Sequence, residues 1–405
     1  MLVEKFLKHY IRHGYLIIVD PDGKNHVIEG VEKGPEVTVR IHNWKTFWKI
    51  AFNPGLAVGE AYMDGTLTVD GDIYSLMEIY ARGLIKGKKL TNLEKVIRYF
   101  RKRLMNLNTP LESRRNVAHH YDLGNDFYRL FLDQDMQYSC AYFEYDSDDL
   151  ETAQLHKKQH IASKLRLQPG NSVLDIGCGW GGLALYCAQL ENLKIKGITL
   201  SARQLNLAQE RLQKLGLQNR VQFELKDYRH INDQFDRIMS VGMFEHVGVM
   251  HYDKFFEKSR DLLKDDGVML LHTIGHMDEP GNNAAWLTKY IFPGGYTPSL
   301  SEVTAAIERQ NLFITDIEIW RLHYAKTLHH WRERFHNQWD TVKSMYDERF
   351  CRMWDFYLAG CEASFEFGTS VVFQIQITKK RDAVPQTRDY INQWKKENTI
   401  VPIIA

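Results

Sequence analysis

The stretch VLDIGCGWGG, residues 173–182, carries strand-like residues into a glycine turn that fits G-x-G-x-x-G with Gly177, Gly179 and Gly182. A strand passing through such a turn into a helix opens a doubly wound unit whose ligand lies beyond the carboxyl ends of the strands. A lone glycine pattern also serves plain strand-to-helix packing, so its meaning depends on the residues downstream. There the same rhythm repeats through LALYCAQL, LKIKGITL, SARQLNLAQERLQKLG, VQFELKD, FDRIMSVGMFEHVG, YDKFFEKSRDLLKDDG and VMLLHTIG. Alternation of this kind predicts a mostly parallel sheet with helices on both faces: an α/β, doubly wound, Rossmann-like domain.

A dinucleotide site asks for an Asp or Glu at the end of the second strand, to hold a ribose. That strand ends in GITLS, with Thr199 and Ser201 in the carboxylate's place. Asp175 before the glycines, the KDY of Lys226–Tyr228 and the LLKDDGVMLL turn at 262–271 fit instead an S-adenosylmethionine-dependent methyltransferase. On that reading the turn faces the amino-acid end of a phosphate-free nucleoside.

With 405 residues the chain exceeds the roughly 250–300 residues at which single cores stop growing, so two units are expected. Hydrophobic residues make up 44%, charged residues 25%, and the formal net charge is +1, which predicts no global attraction to nucleic acid. Five cysteines without a C-x-x-C pair fit reduced thiols and a cytoplasmic home. The N-terminus lacks a signal-peptide layout, and no apolar run nears the roughly 18–20 residues that span a bilayer.

Residues 1–85 mix short β-like runs, such as YLIIVD and EVTVRIH, with turn signals PDG and NPG, and read as a small α+β unit. Between Arg82 and Arg115 eleven Lys or Arg face only Glu94 and Glu112. Leu93, Val96, Ile97, Phe100, Leu104 and Leu107 recur there at three- and four-residue spacing, predicting a basic amphipathic helical linker over 86–115. Its apolar stripe suits either anionic lipid or packing on its own protein or a dimer partner. The catalytic domain is expected over 116–390. A Gly/Pro-bearing insertion after 275, able to cover a site, lies within it.

Seven blocks stand in order: NVAHHYDLGNDFYRLFLDQDMQYSCAYF (116–143), VLDIGCGWGGLALYCA (173–188), GITLSARQ (197–204), SVGMFEHVG (240–248), LLHTIG (270–275), FPGGYTPSL (292–300) and HYAKTL (323–328). Together they resemble the cyclopropane-fatty-acyl-phospholipid synthase family, closely over about 90–380 and more loosely over the N-terminal unit. The resemblance implies methyl transfer from S-adenosylmethionine to a cis double bond of an unsaturated phospholipid acyl chain. The resulting carbocation then loses a proton from the new methyl as a cyclopropane ring closes. Such a cation asks for electron-rich walls, which aromatic faces supply.

As base, the resemblance implies a bicarbonate held by Cys140, Glu245, His272, Ile274 and Tyr324. His272 and Tyr324 can donate hydrogen bonds, main-chain N–H groups near Cys140 and Ile274 can add more, and Glu245 can accept the bicarbonate O–H. For the cofactor it carries over Tyr121, Tyr138 and Ser139 toward the methionine, with Gly177 and Gly179 at the turn. Thr199, Leu200 and Gln204 fall near the ribose, Asp227 and Tyr228 near adenine. It further implies a homodimer peripherally associated with the inner face of the cytoplasmic membrane, and an N-terminal unit that docks lipid.

Duller readings stand beside these. Glu245 and His246 suit a helix cap, His272 and Tyr324 suit core positions, and Cys140 suits a buried thiol. Cys361 matches a cysteine once regarded as a nucleophile in the family. An alkene attacking a sulfonium needs no covalent intermediate, so a structural role is expected for it. His119 and His120 beside Cys140 do not complete a metal-ligand quartet, and no metal is expected. The rival functions are a related methyltransferase making methyl-branched lipids or N-methylating a small amine, and a non-catalytic lipid-binding protein.

Overall fold

The computed structural model describes residues 11–84, 123–281 and 283–398, and its contacts divide the chain into two compact units. The basic amphipathic helix expected over 86–115 lies outside the described residues, as does Tyr121.

The first unit starts from a four-stranded sheet, β1 (His13–Val19), β2 (Asn25–Glu29), β3 (Glu32–Ile41) and β4 (Leu67–Asp70), in the order β2-β1-β3-β4. The PDG turn is closed by Asp20, whose Oδ1 accepts from the main-chain N–H of Asp22 and Lys24 at 3.0 and 2.9 Å. Val37 and Val39 on β3 bury against Leu16 and Ile28, the two-residue period of a one-sided sheet. Helices Trp44–Phe52 and Pro54–Met63 come next, the first capped by Asn43 Oδ1 accepting from Thr46 N at 2.8 Å. Helix Ile73–Leu84 ends the described N-terminal run.

The chain-order layout expected from the sequence differs here. Asn283–Pro293 and Tyr324–Ser370, expected within a 116–390 domain, pack with the N-terminal segment. The physical reason is a shared core: Ile73, Met77 and Ala81 bury against Ala359 and Ala363 of helix Glu348–Phe367. Arg332 locks it, donating from Nε to Asp355 Oδ1 at 2.8 Å and from Nη1 to Asp72 Oδ2 at 2.9 Å. The Gly/Pro insertion contributes helix Ala285–Tyr290 to this unit.

The second unit is built on a seven-stranded sheet: β5 (Ser172–Ile176), β6 (Lys194–Thr199), β7 (Val221–Leu225), β8 (Phe235–Val241), β9 (Leu263–His276), β10 (Phe313–Trp320) and β11 (Ser370–Thr378). Their order is β10-β11-β9-β8-β5-β6-β7, with β5 to β9 running parallel and β10 antiparallel to β11. Both faces are covered, so successive residues of β5 enter different cores. Val173 packs with Leu183 and Leu212 on one side, and Leu174 and Ile176 with Phe244 and Phe255 on the other. Fully burying side chains of this size contributes about 1.5–3 kcal/mol each. The KDDG expected as a turn is instead the exposed start of β9, where the pairing with β8 slips between Phe235–Leu263 and Arg237–Val268. Strand order reverses between β5 and β8, and that switch point is where a doubly wound sheet opens its ligand crevice.

Candidate active site

A pocket sits at this switch point, beyond the ends of β5, β6 and β8. The glycine turn shapes one wall. Gly177 has φ +85°, and a Cβ there would stand 2.8 Å from the Met243 side chain, so only glycine lets the turn lie against the residues just after β8. A Cβ on Gly179, by contrast, would meet nothing within 4 Å. Tyr138, Ser139, Asp175, Gly177, Gly179, Thr199, Leu200, Gln204, Asp227 and Tyr228 all line this one pocket.

Their chemistry is graded along it. Asp175 is 2% exposed, its Oδ2 has no hydrogen-bond partner, and burial pushes its carboxyl up to about 7. Thr199 Oγ1 donates to Gln204 Oε1 at 2.8 Å. Asp227 already has a partner: Arg229 donates to it from Nε and Nη2 at 2.9 and 2.6 Å. Although burial opposes it, this pairing holds the Asp227 carboxyl below its ordinary value.

The loop that delivers Tyr138 and Ser139 is held by a buried polar scaffold that the sequence motifs do not disclose. Asp133 accepts from the main-chain N–H of Asp135 and Gln137 at 3.1 and 2.7 Å. Asp135 accepts from Lys158 Nζ at 2.6 Å and pairs with Arg211. Gln154 Nε2 donates to the carbonyls of Gln137 and Ser139 at 3.2 and 3.0 Å. One signal of it does exist in the sequence: in helix Leu150–Leu165 the face Ala153, Lys157, Ile161 and Lys164 is buried, so two lysines occupy apolar-face positions. Met136, Trp180 and His246, inside the quoted blocks but given no role there, line the pocket together with Arg229 and His251, which no motif marks.

The last residues of β9 and the turn after β8 bring together a second group. Ile274 N donates to Glu245 Oε1 at 2.7 Å and Glu245 Oε2 is buried with no hydrogen bond of its own; burial raises the carboxyl, against the smaller lowering by Ile274 N, its own main-chain N–H and the nearby Thr273 hydroxyl. The helix-cap reading of Glu245 and His246 does not hold: the short 3-10 turn Phe244–His246 has no side-chain cap, and Glu245 reaches across to β9. His272 is 2% exposed, and burial holds its imidazole well below its usual value, hence neutral. With the amide as assigned, Gln374 Nε2 donates to His272 Nδ1 at 3.1 Å, leaving Nε2 to carry the ring hydrogen. Trp320 meets this ring edge-on at 5.0 Å. Cys140 is fully buried, one residue beyond Ser139.

Tyr324 and Cys361 belong to the first unit. Tyr324 packs on Phe365 and Trp331 at 4.6 and 5.8 Å between ring centroids. Cys361 sits in helix Glu348–Phe367, and burial pushes its thiol up to about 12, which leaves no thiolate at neutral pH. Among the described residues no three His, Cys, Asp or Glu side chains cluster closely enough to hold a metal ion. His119 and His120 lie outside the described residues.

This strand order, with a glycine turn and a lone buried carboxyl at its switch point, defines a class I S-adenosylmethionine-dependent methyltransferase. Residues 109–375 match the family described as mycolic acid cyclopropane synthetase, and residues 3–83 match a domain of unknown function, DUF7884. The cyclopropane-fatty-acyl-phospholipid synthase of Escherichia coli K12 is 40% identical over 341 residues, which cover 84% of this chain and 87% of the relative. Among solved structures, the cyclopropane synthase MmaA2 from Mycobacterium tuberculosis is 32% identical with TM-score 0.63, covering 67% of this chain and 99% of that one. The mycolic acid cyclopropane synthase CmaA1, complexed with SAH and CTAB, is 35% identical with TM-score 0.62, covering 65% and 97%. The chain belongs to the mycolic acid cyclopropane synthetase family and is an S-adenosylmethionine-dependent methyltransferase.

Proposed function

We propose that the chain converts a cis double bond of an unsaturated phospholipid acyl chain into a cyclopropane ring, with bicarbonate as the base. S-Adenosylmethionine supplies an electrophilic methyl group. The residues present suit it: Asp175 offers an unpaired carboxyl oxygen for the ammonium or sulfonium, and the space beside Gly179 admits the chain of the amino acid. Thr199, Leu200 and Gln204 would hold the ribose, and Asp227 with Tyr228 the adenine.

The observation that carries the base assignment is the half-used carboxylate of Glu245. One oxygen is fixed by Ile274 N at 2.7 Å, and the other is buried with nothing to accept from. An O–H donor is what this oxygen lacks, and bicarbonate brings one. His272 Nε2–H and main-chain groups beside Cys140 would meet the remaining oxygens. In the reaction the alkene π pair forms a carbon–carbon bond to the methyl as the carbon–sulfur bond breaks. A proton then leaves the new methyl to bicarbonate, giving carbonic acid, and the freed electron pair closes the ring. A neutral His272 can donate to bicarbonate without competing for that proton. Tyr324, the fifth position of the resemblance, lies in the first unit, and its part rests on the resemblance alone.

A membrane as the source of substrate is supported by helix Trp44–Phe52. Trp44, Trp48 and Phe52 recur every four residues and are 41%, 52% and 84% exposed, with Lys45 and Lys49 beside them. Tryptophan with lysine on one helix suits the lipid interface. Among the described residues no helix is long and apolar enough to cross a membrane. We place the protein, as a homodimer, at the inner face of the cytoplasmic membrane, an assignment that rests on the family resemblance.

The test is mass spectrometry of fatty acids after incubating the protein with S-adenosylmethionine and vesicles of monounsaturated phospholipid. A product one methylene heavier that resists hydrogenation is expected. A gain of one methylene that takes up hydrogen would instead indicate methyl-branch chemistry with the alkene retained.

A further inference from the structure

Lys157, in the middle of helix Leu150–Leu165, is wholly buried, yet no carboxylate lies within ion-pair distance of it among the described residues. The acids around it are already engaged. Asp135 is taken by Lys158 and Arg211, and Asp133 by two main-chain N–H groups. Lys157 Nζ donates instead to two neutral acceptors, Gln137 Oε1 at 2.7 Å and Ser139 Oγ at 2.9 Å, and both residues line the cofactor pocket. Gln137 cannot turn away, because its Nε2 donates to Asp135 Oδ2 at 3.0 Å. The Ser139 main chain is pinned as well, by Gln154.

From this geometry we infer that Lys157 is a positioning residue for the cofactor, its ammonium form fixing Ser139 Oγ as an acceptor so that the serine O–H points into the pocket. An ammonium only donates, whereas a neutral amine also accepts. Once Lys157 loses its proton, Ser139 can turn its O–H back onto the amine, and the pocket loses a donor. The only anionic group of S-adenosylmethionine is its carboxylate, and that is the group such a donor serves. The inference rests on the reading of this pocket as the cofactor site.

The arrangement is poised to respond near neutral pH. Burial, the largest influence, brings Lys157 down to about 7; Asp133, Asp135 and Cys140 push it up and Lys158 pushes it down. Its positive charge in turn adds to what keeps His272 neutral, which links the pocket to the group at the end of β9. A ligand that needs protonated Lys157 therefore binds less tightly as pH rises through that value, and binding above it takes up a proton. Asp175, brought up to about 7, acts the opposite way, since its ionised form favours the cofactor's cationic end.

S-Adenosylhomocysteine is the probe, titrated calorimetrically into the full chain at pH 6, 7 and 8, in two buffers of different ionisation enthalpy. Because Asp175 works in the opposite sense in each protein compared, the readout is the ratio to Lys157→Arg: from pH 6 to 8 the wild-type Kd should rise relative to that variant's by up to about tenfold, with more proton uptake at pH 8 than the variant shows. Lys157→Arg keeps its proton and leaves only the Asp175 dependence, and Ser139→Ala should follow the same pH dependence as Lys157→Arg at weaker overall affinity. A wild-type pH dependence and proton uptake equal to those of Lys157→Arg, or a Ser139→Ala pH dependence equal to the wild type's, overturns the role of Lys157. Failure of the wild type to bind the probe at any pH would overturn the reading of the pocket itself.

Discussion

Glu245, in the turn after β8, is joined to Ile274 of β9: the Ile274 N–H donates to Glu245 Oε1 at 2.7 Å, while Glu245 Oε2 has no partner. A purely structural carboxylate would use both oxygens or turn one to water. In Glu245→Gln the side-chain oxygen can still accept from Ile274, but an amide N–H₂ replaces the free oxygen and cannot accept an O–H. We expect kcat to fall by about 10²–10⁴-fold, the range for losing general-base chemistry, with S-adenosylhomocysteine affinity unchanged. The same preparation of wild type should lose turnover in bicarbonate-free buffer and regain it on adding bicarbonate. Full activity without bicarbonate would remove the proposed base.

Gly177 closes the glycine turn against the residues after β8, with φ +85° and Met243 where a Cβ would go. Gly177→Ala therefore carries roughly 1–2 kcal/mol of left-handed backbone strain, plus a displacement of Met243 into the pocket wall. The expected result is at least a tenfold loss of cofactor affinity, together with a lowered melting temperature. Unchanged affinity in calorimetry would mean that the turn does not border the ligand.

Much of this is legible in the sequence for a physical reason: a parallel sheet covered on both faces imposes near-continuous apolar strands, each leading into a helix period. The pocket wall is legible because its turn, Gly177 to Gly182, is local. What stays hidden depends on contacts distant in sequence. Asp135 meets Arg211 seventy-six residues away, and nothing in the DQD of residues 133–135 announces a partner. The division of the chain is hidden for the same cause. Ala359 and Ala363 look like any helix interior until Ile73 and Met77 are seen against them. Asp227 reads as a free ligand because nothing in the sequence says that Arg229, two residues on, folds back onto it.

The Asp135 cluster predicts a stability effect separable from chemistry. Burial alone would raise this carboxyl, but Lys158 and Arg211 hold it below its ordinary value. A depressed folded-state value means the stabilisation is present above the unfolded carboxyl's value near 4, and is lost only as pH falls further toward the folded one. Asp135→Asn leaves two buried cations short of a counter-charge and should cost about 3–5 kcal/mol. Urea denaturation at pH 7 measures it, and a loss under about 1 kcal/mol would show the cluster to be solvated.

Helix Trp44–Phe52 makes the proposed membrane contact testable apart from the active site. Trp48 and Phe52 are 52% and 84% exposed, so replacing both by Ser removes little buried surface and should leave the melting temperature within about 2 °C. Transfer of two such side chains into the interface contributes on the order of 1–3 kcal/mol, so binding to phosphatidylglycerol vesicles should weaken roughly five- to 150-fold. Lys45→Gln with Lys49→Gln should weaken it further at low salt and hardly at all at high salt, since their attraction to anionic lipid is screened. Wild-type tryptophan fluorescence should blue-shift on adding vesicles, and Trp48→Phe should lose most of that shift. If vesicle binding survives in the Trp48→Ser, Phe52→Ser protein while the shift persists, the docking surface lies elsewhere on the chain. If binding is lost but turnover on detergent-dispersed phospholipid is kept, the helix acts in reaching the bilayer and not in the chemistry.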